Sequence, residues 1–373
     1  MDMEKQHAGS SYRKVLVTGG GGFLGRAIVR KLVERGDRVS SFSRGNYPAL
    51  NRLGVEQIQG DLGDRKVVSG ACRGRDIIFH VAAKAGFWGP YKEYYHANVL
   101  GTENVINACL DQNVPYLVHC SSANVLNHGK GSLEGVDESV PYPESFLTAY
   151  QETKALAEKL VIEASESQLK TLILRPHHIW GPGDKHFVPR ILDWADKIRM
   201  VGNGKNLSDN IYIDNAAEAH LQAGDALEAN HDLSGKIYFI SQGEPVYLWD
   251  MINNLLKAGN KPPIKKSISR RTAYAIGTVF EFIYNVFHIK SEPRMTRFLA
   301  NELSTTQWFN ISAARNDLGF DHKIGMAEGL ERLKKWLEEK HYASDLNLPA
   351  RKMGSTGTGN TRSFHYRLQC VQH

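Results

Sequence analysis

The stretch "KVLVTGGGGFLGRAIVRKLVERG", residues 14–36, joins a short apolar run to a glycine-rich turn and then to a segment with helical periodicity. Glycines stand in this turn where a tight bend, a close phosphate approach and a helix–strand contact exclude side chains. The N-terminus of the following helix would face the phosphates. A merely flexible turn would need neither the strand before it nor the helix after it. The segment therefore predicts a dinucleotide-binding loop, with contacts from Gly19, Gly22, Phe23, Leu24 and Gly25.

Seven short apolar runs rich in Val and Ile alternate with longer stretches of helical periodicity along the chain. Strands joined by crossover helices form a parallel sheet with helices on both faces. The sequence therefore predicts an α/β fold built on a doubly wound, mainly parallel seven-stranded sheet of the Rossmann type. The predicted strands are residues 14–19, 38–44, 55–61, 76–83, 116–122, 171–176 and 236–241.

This alternation loosens after about residue 182, where helices and loops with more aromatic residues begin. We expect these later segments to form a smaller mixed cap over the carboxyl ends of the strands, where substrates bind in such sheets. A Gly/Ser/Thr-rich run near the C-terminus predicts a disordered tail. The expected parts are an NADP-binding domain at 13–182 and 206–241, a substrate-binding cap at 183–205 and 242–342, and a tail at 343–373.

Composition and charge favour an ordinary globular protein: 42% of the 373 residues are hydrophobic and 23% are charged. The formal net charge is +6, but four basic residues without any acidic one follow Leu346. The rest of the chain carries no basic stripe interleaved with aromatic residues, so we do not expect nucleic-acid binding. The basic residues of that last segment are Arg351, Lys352, Arg362 and Arg367.

The cysteines and the polar N-terminal segment indicate the compartment. "MDMEKQHAGSSYRK" has no apolar core and does not resemble a signal peptide. The four cysteines are scattered without the spacing of metal ligands, which favours a reduced, cytoplasmic protein. They are Cys72, Cys109, Cys120 and Cys370.

The end of the second predicted strand indicates which dinucleotide binds. It reads "SFSRGN", with Ser43 and Arg44 where an NAD-binding site would carry a carboxylate for the ribose 2′-hydroxyl. A guanidinium there can form charge-assisted bonds with a 2′-phosphate. The sequence therefore favours NADP(H) over NAD(H), with a solvated loop cation as the alternative interpretation of Arg44.

The segment "LTAYQETKALAEK", residues 147–159, places Tyr150 four residues before Lys154, on one face of a helix. A free phenol titrates near pH 10, and a neighbouring ammonium lowers its pKa. A Tyr-x-x-x-Lys pair alone also occurs as surface decoration. Its meaning depends on the other motifs of the chain.

Together these motifs resemble the extended short-chain dehydrogenase/reductase superfamily over residues 14–340. Within it, the chain resembles the 3β-hydroxysteroid dehydrogenase branch, which includes sterol-4α-carboxylate dehydrogenases and the olefin-pathway reductases of 2-alkyl-3-keto acids. "RGNYPALNRLGVEQIQGDL" (44–62) and "AAKAGFWGPYKEYYHANVLGT" (82–102) are similar to the olefin-pathway reductases. The superfamily motifs are "TGGGGFLG" (18–25), "GDLGD" (60–64), "HVAA" (80–83), "NVLGT" (98–102), "CSSANV" (120–125), "YQETK" (150–154), "RPHHIWGPGD" (175–184) and "YIDNAAEAH" (212–220).

The resemblance implies a role for each catalytic residue. Tyr150 would protonate a carbonyl oxygen while hydride arrives from the nicotinamide, and would act as a base in the reverse direction. Lys154 would lower the pKa of that phenol and bind the nicotinamide ribose. Ser122, or its neighbour Ser121, would donate a hydrogen bond to the substrate oxygen.

The resemblance also implies further cofactor contacts and two structural residues. Asn98 and Thr102 would hold a helix to neighbouring loops. His177 and His178 suggest a metal site, but adjacent residues diverge on a regular backbone, so we expect no metal. The implied cofactor contacts are Asp61 and Leu62 at the adenine, Ala82, Ala83 and Lys84 along the dinucleotide, and Pro176 at the nicotinamide.

The cap contains an apolar helical pattern at residues 270–290, flanked by basic residues. It is a poor transmembrane span, because Glu281, Asn285 and His288 interrupt it. It could cover a hydrophobic substrate pocket, touch a membrane surface or pack in the core of the cap. Arg294 and Arg297 could bind either a 3-keto acid carboxylate or a sugar-nucleotide pyrophosphate.

The function implied is an NADP(H)-dependent oxidoreductase that interconverts a ketone and a secondary alcohol on a small hydrophobic substrate, of the 3-keto acid, sterol or steroid type. The alternative is a nucleotide-sugar epimerase or dehydratase on the same fold, which usually retains NAD. A non-catalytic NADP sensor would not need Tyr150, Lys154 and Ser122. By analogy with the family, a homodimer is expected.

Overall fold

In the computed structural model, residues 12–129 and 131–345 are described, with side chains up to residue 340. The helices of this part are α1 Phe23–Arg35, α2 Pro48–Asn51, α3 Arg65–Cys72, α4 Tyr91–Tyr94, α5 Gly101–Asp111, α6 Ala149–Ala164, α7 Phe187–Asp193, α8 Ile213–Ala229, α9 Leu248–Ala258, α10 Arg270–Val286, α11 Arg297–Glu302, α12 Ser312–Leu318 and α13 Met326–Asp345. A π-helical segment at Tyr95–Leu100 and two 3₁₀ turns at Ala123–Leu126 and His231–Leu233 complete them.

The strands are short and separated by helices over most of the chain. They are β1 Lys14–Thr18, β2 Arg38–Ser43, β3 Glu56–Gln59, β4 Ile77–His80, β5 Tyr116–Cys120, β6 Leu133–Val136, β7 Lys170–Pro176, β8 Ile179–Trp180, β9 Met200–Val201, β10 Leu207–Ser208, β11 Ile211–Tyr212, β12 Ile237–Ile240, β13 Val246–Tyr247, β14 Ser267–Ile268 and β15 Gln307–Phe309.

The main sheet has the order β12-β7-β5-β4-β1-β2-β3, and every neighbouring pair is parallel. Each of its seven strands overlaps one of the predicted apolar runs, so the predicted fold class is confirmed. The order reverses between β1 and β4, and ligands of such sheets bind in the crevice at that switch point. The glycine loop lies at this crevice because it follows β1 directly.

Both faces of the main sheet are buried, which explains why its strands are apolar runs and do not alternate with polar residues. Val15 and Val17 of β1 face one hydrophobic core, which also contains Ile28 of α1 and Ala217 of α8. Leu16, between them, faces a second core on the opposite side of the sheet. The alternation along β1 thus holds helices against both faces.

A smaller mixed sheet, in the order β13-β10-β15-β6, forms the second layer. β10 pairs antiparallel with β13, and the other two pairings are parallel. β6 and β10 join this sheet although both fall within the ranges predicted for the NADP-binding domain. Strands of two to four residues carry too little periodicity to be assigned to a sheet from sequence. The domain boundaries therefore stay a prediction.

The predicted tail begins at residue 343, but the chain is still helical at that position. Helix α13 continues to Asp345. The remainder of the predicted tail, residues 346–373, lies outside the described residues. Among the residues that are described, no helix combines the length and the hydropathy needed to cross a membrane.

Candidate active site

The glycine loop between β1 and α1 is closely packed against its neighbours. Gly19 has a φ of +71°, and a Cβ there would lie 2.9 Å from the Cα of Ala82. A Cβ on Gly25 would overlap the carbonyl of Gly19. Gly22 precedes α1 and gives its first turn no side-chain cap, so backbone N–H groups of that turn stay available to an anion. The loop therefore fits a dinucleotide pyrophosphate.

The carboxyl end of β2 carries the predicted ribose contacts. Arg44 is exposed, and the Ser43 hydroxyl is buried without a hydrogen-bond partner among the described residues. Burial alone would raise the pKa of Asp61, but hydrogen bonds from Gly63 N–H and from His96, with the charge of Arg44, lower it overall. The two oppositely charged side chains thus lie near each other at the predicted adenosine end of the crevice.

The loop after β4 is held from two sides. The Oγ1 atom of Thr18 accepts hydrogen bonds from the backbone N–H groups of Val81 and Ala82, both at 3.1 Å. Asn98 accepts from Lys84 N–H at 2.7 Å and donates to the Lys84 carbonyl and to Thr153 of α6. The predicted structural role of Asn98 is thereby confirmed.

The buried His80 imidazole explains the role of Thr102. The Thr102 hydroxyl donates to the carbonyl of Asn98 at 2.6 Å, so His80 Nε2–H donates to Thr102 at 3.0 Å. His80 Nδ1 then accepts from the Thr18 hydroxyl at 2.8 Å. Burial, with the charge of Lys154, lowers the pKa of His80 to about 3, which keeps this ring neutral. The chain of bonds joins β1, β4 and α5 beneath the crevice.

Helix α6 presents the predicted catalytic pair. Thr148 caps it, with its hydroxyl accepting from Gln151 N–H at 3.3 Å. Gln151 is fully buried and donates to the carbonyls of Asn124 and Asn127, at 2.9 and 2.7 Å. These bonds tie the first turn of α6 to the loop after β5. Sequence reasoning missed Gln151, because nothing in the spacing of a glutamine on a helix shows which carbonyls it will reach.

Tyr150 and Ser122 meet at the carboxyl edge of the sheet. The Ser122 hydroxyl hydrogen-bonds the phenol of Tyr150, whereas the Ser121 hydroxyl has no partner in the described part of the chain. This contact favours Ser122 over Ser121. Burial raises the pKa of Tyr150 to about 12, and the bond with Ser122 lowers it only in part. The expected lowering of this pKa by Lys154 is thus not found: burial is the largest cause of the shift, and Lys154 is not among the groups that change it.

Lys154 is almost fully buried one turn beyond Tyr150. Its ammonium donates to the carbonyl of Cys120 at 2.6 Å and lies 3.4 Å from His119 Nε2. Burial lowers the pKa of Lys154, while Cys120 and Glu158 raise it in part. The carbonyl of Cys120 therefore holds the ammonium at the end of β5, next to the position of Ser122.

A cavity of about 200 Å³ lies next to Phe87, a neighbour of Tyr150, and its lining combines aromatic residues with polar and charged ones. The Phe87 ring stands edge-on to Tyr150, with centroids 6.1 Å apart, and packs on Phe298 of α11 at 4.4 Å. Arg297 also lines the cavity, but its guanidinium is paired with Glu281 of α10 at 2.6 Å. Arg294 is exposed and does not line this cavity. The cavity thus offers both aromatic rings and polar groups to a bound molecule.

The adjacent histidines after β7 do not diverge as the sequence argument assumed. Their rings are 4.0 Å apart with an interplanar angle of 32°. Both Nε2 atoms approach Glu302 of α11. The assumption of a regular backbone was wrong, because the chain leaves β7 at Pro176 just before the two histidines. The argument against a metal site at His177 and His178 therefore fails.

The fold and the site together define the class: an oxidoreductase of the short-chain dehydrogenase/reductase type, dependent on a nicotinamide dinucleotide. The structure brings Tyr150, Lys154 and Ser122 to one edge of the sheet, near the glycine loop and the loop after β4. Their individual roles stay predictions.

Comparison with known proteins agrees with this enzyme class and identifies the family within it. The chain belongs to the 3-beta hydroxysteroid dehydrogenase/isomerase family, which matches residues 16–268. It is 46% identical over 324 residues to a 2-alkyl-3-oxoalkanoate reductase of Stenotrophomonas maltophilia, covering 86% of this chain and 98% of that one. It is 37% identical over 336 residues to a decarboxylating sterol-4-alpha-carboxylate 3-dehydrogenase of Schizosaccharomyces pombe, covering 86% and 97%. The predicted family and enzyme class are confirmed.

A solved structure, MoeE5 in complex with UDP-glucose and NAD, superimposes with a TM-score of 0.68 and 23% identity. The match covers 88% of this chain and 99% of that one. At this identity the likeness shows a shared fold. The relatives in sequence, which are reductases and dehydrogenases, favour the oxidoreductase over the epimerase alternative.

Proposed function

We propose that the protein is an NADP(H)-dependent reductase that interconverts a hydrophobic 3-keto acid and its 3-hydroxy acid. The observation that carries the proposal is the pair of packed rings, Phe87 and Phe298, that stands next to Tyr150 and forms an apolar part of the cavity wall. The Stenotrophomonas relative, which is named a 2-alkyl-3-oxoalkanoate reductase, supports the same substrate class. The pyrophosphate of a sugar nucleotide would need an available cation, and the charge of Arg297 in this cavity is already offset by Glu281.

Each residue of the candidate site has its own role in the proposed reaction. A bound nicotinamide dinucleotide supplies or accepts the hydride. Tyr150, protonated at neutral pH because its pKa is about 12, donates a proton to the carbonyl oxygen during reduction. Ser122 donates a second hydrogen bond to that oxygen and holds it in place. Lys154, held by the Cys120 carbonyl, places its ammonium at the carboxyl edge of the sheet, where it binds the nicotinamide ribose.

The test is to mix purified protein with NADPH and separate panels of 2-alkyl-3-keto acids, ketosteroids and UDP- or GDP-sugars, and to follow the absorbance of the reduced nicotinamide. We expect net NADPH consumption with the keto acids. Conversion of a sugar nucleotide without net cofactor turnover would support the epimerase alternative. Tight NADPH binding with no turnover of any compound would support a sensor and contradict the proposal.

The choice of NADP(H) rests on Arg44 and Ser43 and leads to a prediction. Arg44→Asp should change the ratio of kcat/KM for NADPH over NADH by about 10–100-fold in favour of NADH, since a charge-assisted hydrogen bond is worth about 1.5–3 kcal/mol. Steady-state kinetics with both cofactors measures the ratio. Arg38→Asp is the matched control, because it makes the same charge change at the opposite end of β2. An unchanged ratio in Arg44→Asp would remove this residue from the cofactor site.

We also propose that α10 rests on the surface of an anionic membrane. Its buried residues are small, Ala273 and Gly277, and a Cβ on Gly277 would lie 2.6 Å from the backbone of Thr296. Its large apolar residues point outward: Phe282 is 69% and Phe287 is 71% exposed. This arrangement disfavours the core-packing interpretation of the segment. The other exposed apolar residues of this face are Tyr274, Ile276, Val279, Ile283 and Val286.

The charges around this apolar face favour contact with an anionic membrane. Exposed basic residues flank it, with no acidic residue between Lys261 and Arg271, and they match the anionic headgroups of a bilayer. A cavity of about 850 Å³ lies along the first turns of α10. A hydrophobic substrate that resides in the membrane would then meet the enzyme at this face. The flanking basic residues are Lys265, Lys266, Arg270, Arg271 and Lys290.

Vesicle sedimentation tests this contact. Wild-type protein should bind vesicles of phosphatidylcholine with phosphatidylglycerol more tightly than pure phosphatidylcholine. Replacing Phe282 and Phe287 by serine should weaken binding by roughly tenfold per ring, since burying a phenylalanine side chain is worth about 1.5–3 kcal/mol. Tyr247→Ser, at an exposed aromatic outside α10, is the control. Equal binding by the double variant, or a dimer that this variant dissociates, would contradict the membrane contact.

The cytoplasmic location and the homodimer stay predictions. Cys72, Cys109 and Cys120 are buried free thiols, which supports a reducing compartment. Cys370 lies outside the described residues.

A further inference from the structure

Three side chains converge where β7 ends beneath α11. They are His177, His178 and Glu302, and their ligand-type atoms all lie within 4.8 Å of one another. The side chains of His177 and Glu302 are 1% and 5% exposed, and that of His178 is 18% exposed. The cluster is thus closed on two sides and reachable from the side of His178.

Surrounding groups orient two of these side chains. His177 Nδ1 donates to the backbone carbonyl of Asp209 at 2.9 Å, which leaves Nε2 as the atom with a free lone pair. The Oε2 atom of Glu302 accepts from the amides of Asn127 and Gln307, at 2.6 and 2.9 Å. Such outer bonds are typical of metal ligands, because they select the tautomer and aim the ligating atom.

The inner atoms of the cluster have no other use in the described part of the protein. His177 Nε2 and Glu302 Oε1 are buried and have no hydrogen-bond partner outside the cluster in the described residues; within it, Oε1 lies 3.0 Å from His178 Nε2. Buried polar atoms are rarely left unpartnered, so each one calls for an explanation. A cation between them would satisfy both atoms at once.

The distances suit a tetrahedral metal. Glu302 Oε1 lies 3.0 Å from His178 Nε2 and 3.9 Å from His177 Nε2. Two ligands bonded to zinc at about 2.0–2.1 Å with a tetrahedral angle lie roughly 3.3 Å apart. These two separations bracket this value, and the two histidine nitrogens lie within 4.8 Å of each other, so side-chain movements would complete the coordination.

We propose that His177, His178 and Glu302 form a binding site for a divalent transition metal of the Zn²⁺ class. Two imidazole nitrogens and one carboxylate oxygen suit zinc, cobalt or nickel and disfavour calcium and magnesium, which prefer oxygen ligands. The three protein ligands leave a fourth position open on the side of His178, for water or another ligand. The site is independent of the proposed reductase function.

Cobalt titration tests the proposal. Untagged protein treated with a chelator and then dialysed is titrated with Co²⁺, and visible absorption is recorded. We expect one equivalent to produce the intense bands of tetrahedral cobalt and one equivalent of Zn²⁺ to abolish them. The melting temperature should rise with Zn²⁺ and return to its starting value with a chelator.

Variants assign the binding to this cluster. Asn127→Ala, which removes an outer bond, should weaken metal binding by about 10–100-fold. Glu302→Gln and His178→Asn each remove a ligand and should weaken it further. His231→Gln, at an exposed histidine, should bind as the wild type does. If Glu302→Gln does not fold, His178→Asn still decides the matter, because its side chain is the least buried of the three.

Two results would overturn the proposal. One is a wild-type protein without tetrahedral cobalt bands, which would mean that Glu302 and His178 form only an ion pair. The other is metal binding that His178→Asn and Glu302→Gln leave unchanged, which would mean an adventitious ion only.

Discussion

Tyr150→Phe should lower kcat for ketone reduction by about 10²–10⁴-fold, the usual contribution of a positioned general acid. The phenol bonded to Ser122 provides the proton for the substrate oxygen, and phenylalanine retains the ring without that proton. NADPH affinity should change little, because the pyrophosphate and ribose contacts lie elsewhere. Stopped-flow turnover and NADPH fluorescence titration measure the two quantities.

The raised pKa of Tyr150 also predicts the effect of pH. With a pKa of about 12, the phenol stays protonated between pH 6 and 9, so its ionisation should not limit reduction there. Alcohol oxidation needs the phenolate and should therefore accelerate as pH rises through this range.

Tyr94→Phe is the matched control for Tyr150. Tyr94 lines the same cavity, but its hydroxyl donates to the backbone carbonyl of Trp88 at 3.0 Å. Its loss should alter kcat far less than the loss of the Tyr150 hydroxyl. An active Tyr150→Phe enzyme, or equal losses in both variants, would contradict the assignment of the acid.

Acidification should destabilise the protein steeply below pH 6.5. His80, His119 and His220 are at most 1% exposed. Burial lowers the pKa of His80 to about 3 and that of His220 to about 4. Burial, with the charge of Lys154, lowers that of His119 well below its usual value. All three rings are therefore neutral in the folded protein at pH 5.

The free energy of unfolding falls with falling pH because the protein takes up protons when it unfolds. An unfolded histidine binds a proton near pH 6.5, so the unfolded state gains protons that these three rings exclude. Stability is therefore present above pH 6.5 and is lost as pH falls. Between pH 6.5 and 4.5 each ring should cost about 2 kcal/mol. Burial raises the pKa of Asp209 to about 6, which offsets about 2 kcal/mol over the same range.

The net loss of roughly 4 kcal/mol is comparable with the whole stability of many domains. Urea unfolding at pH 7.5, 6.5, 5.5 and 4.5 measures it. His220→Leu should reduce the net pH dependence by about half, because it removes about 2 of the roughly 4 kcal/mol, whereas the exposed His231→Gln should leave it unchanged. A free energy of unfolding that stays constant from pH 7.5 to 4.5 would contradict the prediction.

Much of the fold was predictable from the sequence because its signals are local. Each strand of the main sheet is an apolar run, and the crossover helices between them show the periodicity of elements buried on one face. The glycine loop was equally readable, since Gly19 and Gly25 leave no room for a side chain. The four-stranded sheet was not readable, because β10 and β13 contain only two residues each.

The candidate site was predictable where spacing alone decides proximity, and not where distant segments meet. Tyr150 and Lys154 lie on one helix face whatever surrounds them. Gln151, on the same helix, contacts the loop after β5 only because the sheet places that loop beneath α6. The outward apolar face of α10 was likewise hidden, because Gly277 lets the helix pack closely on α11 through its small residues.

By itself, the sequence determined the order of the elements, the phosphate loop and the pairing of Tyr150 with Lys154, because each depends on residues a few positions apart. Tertiary structure alone favours Ser122 over Ser121 as the partner of the phenol. It also decided that burial raises the pKa of Tyr150, and that Glu302 meets two histidines more than a hundred residues earlier in the chain. Those outcomes depend on desolvation and on long-range contacts, which exist only after the chain has packed.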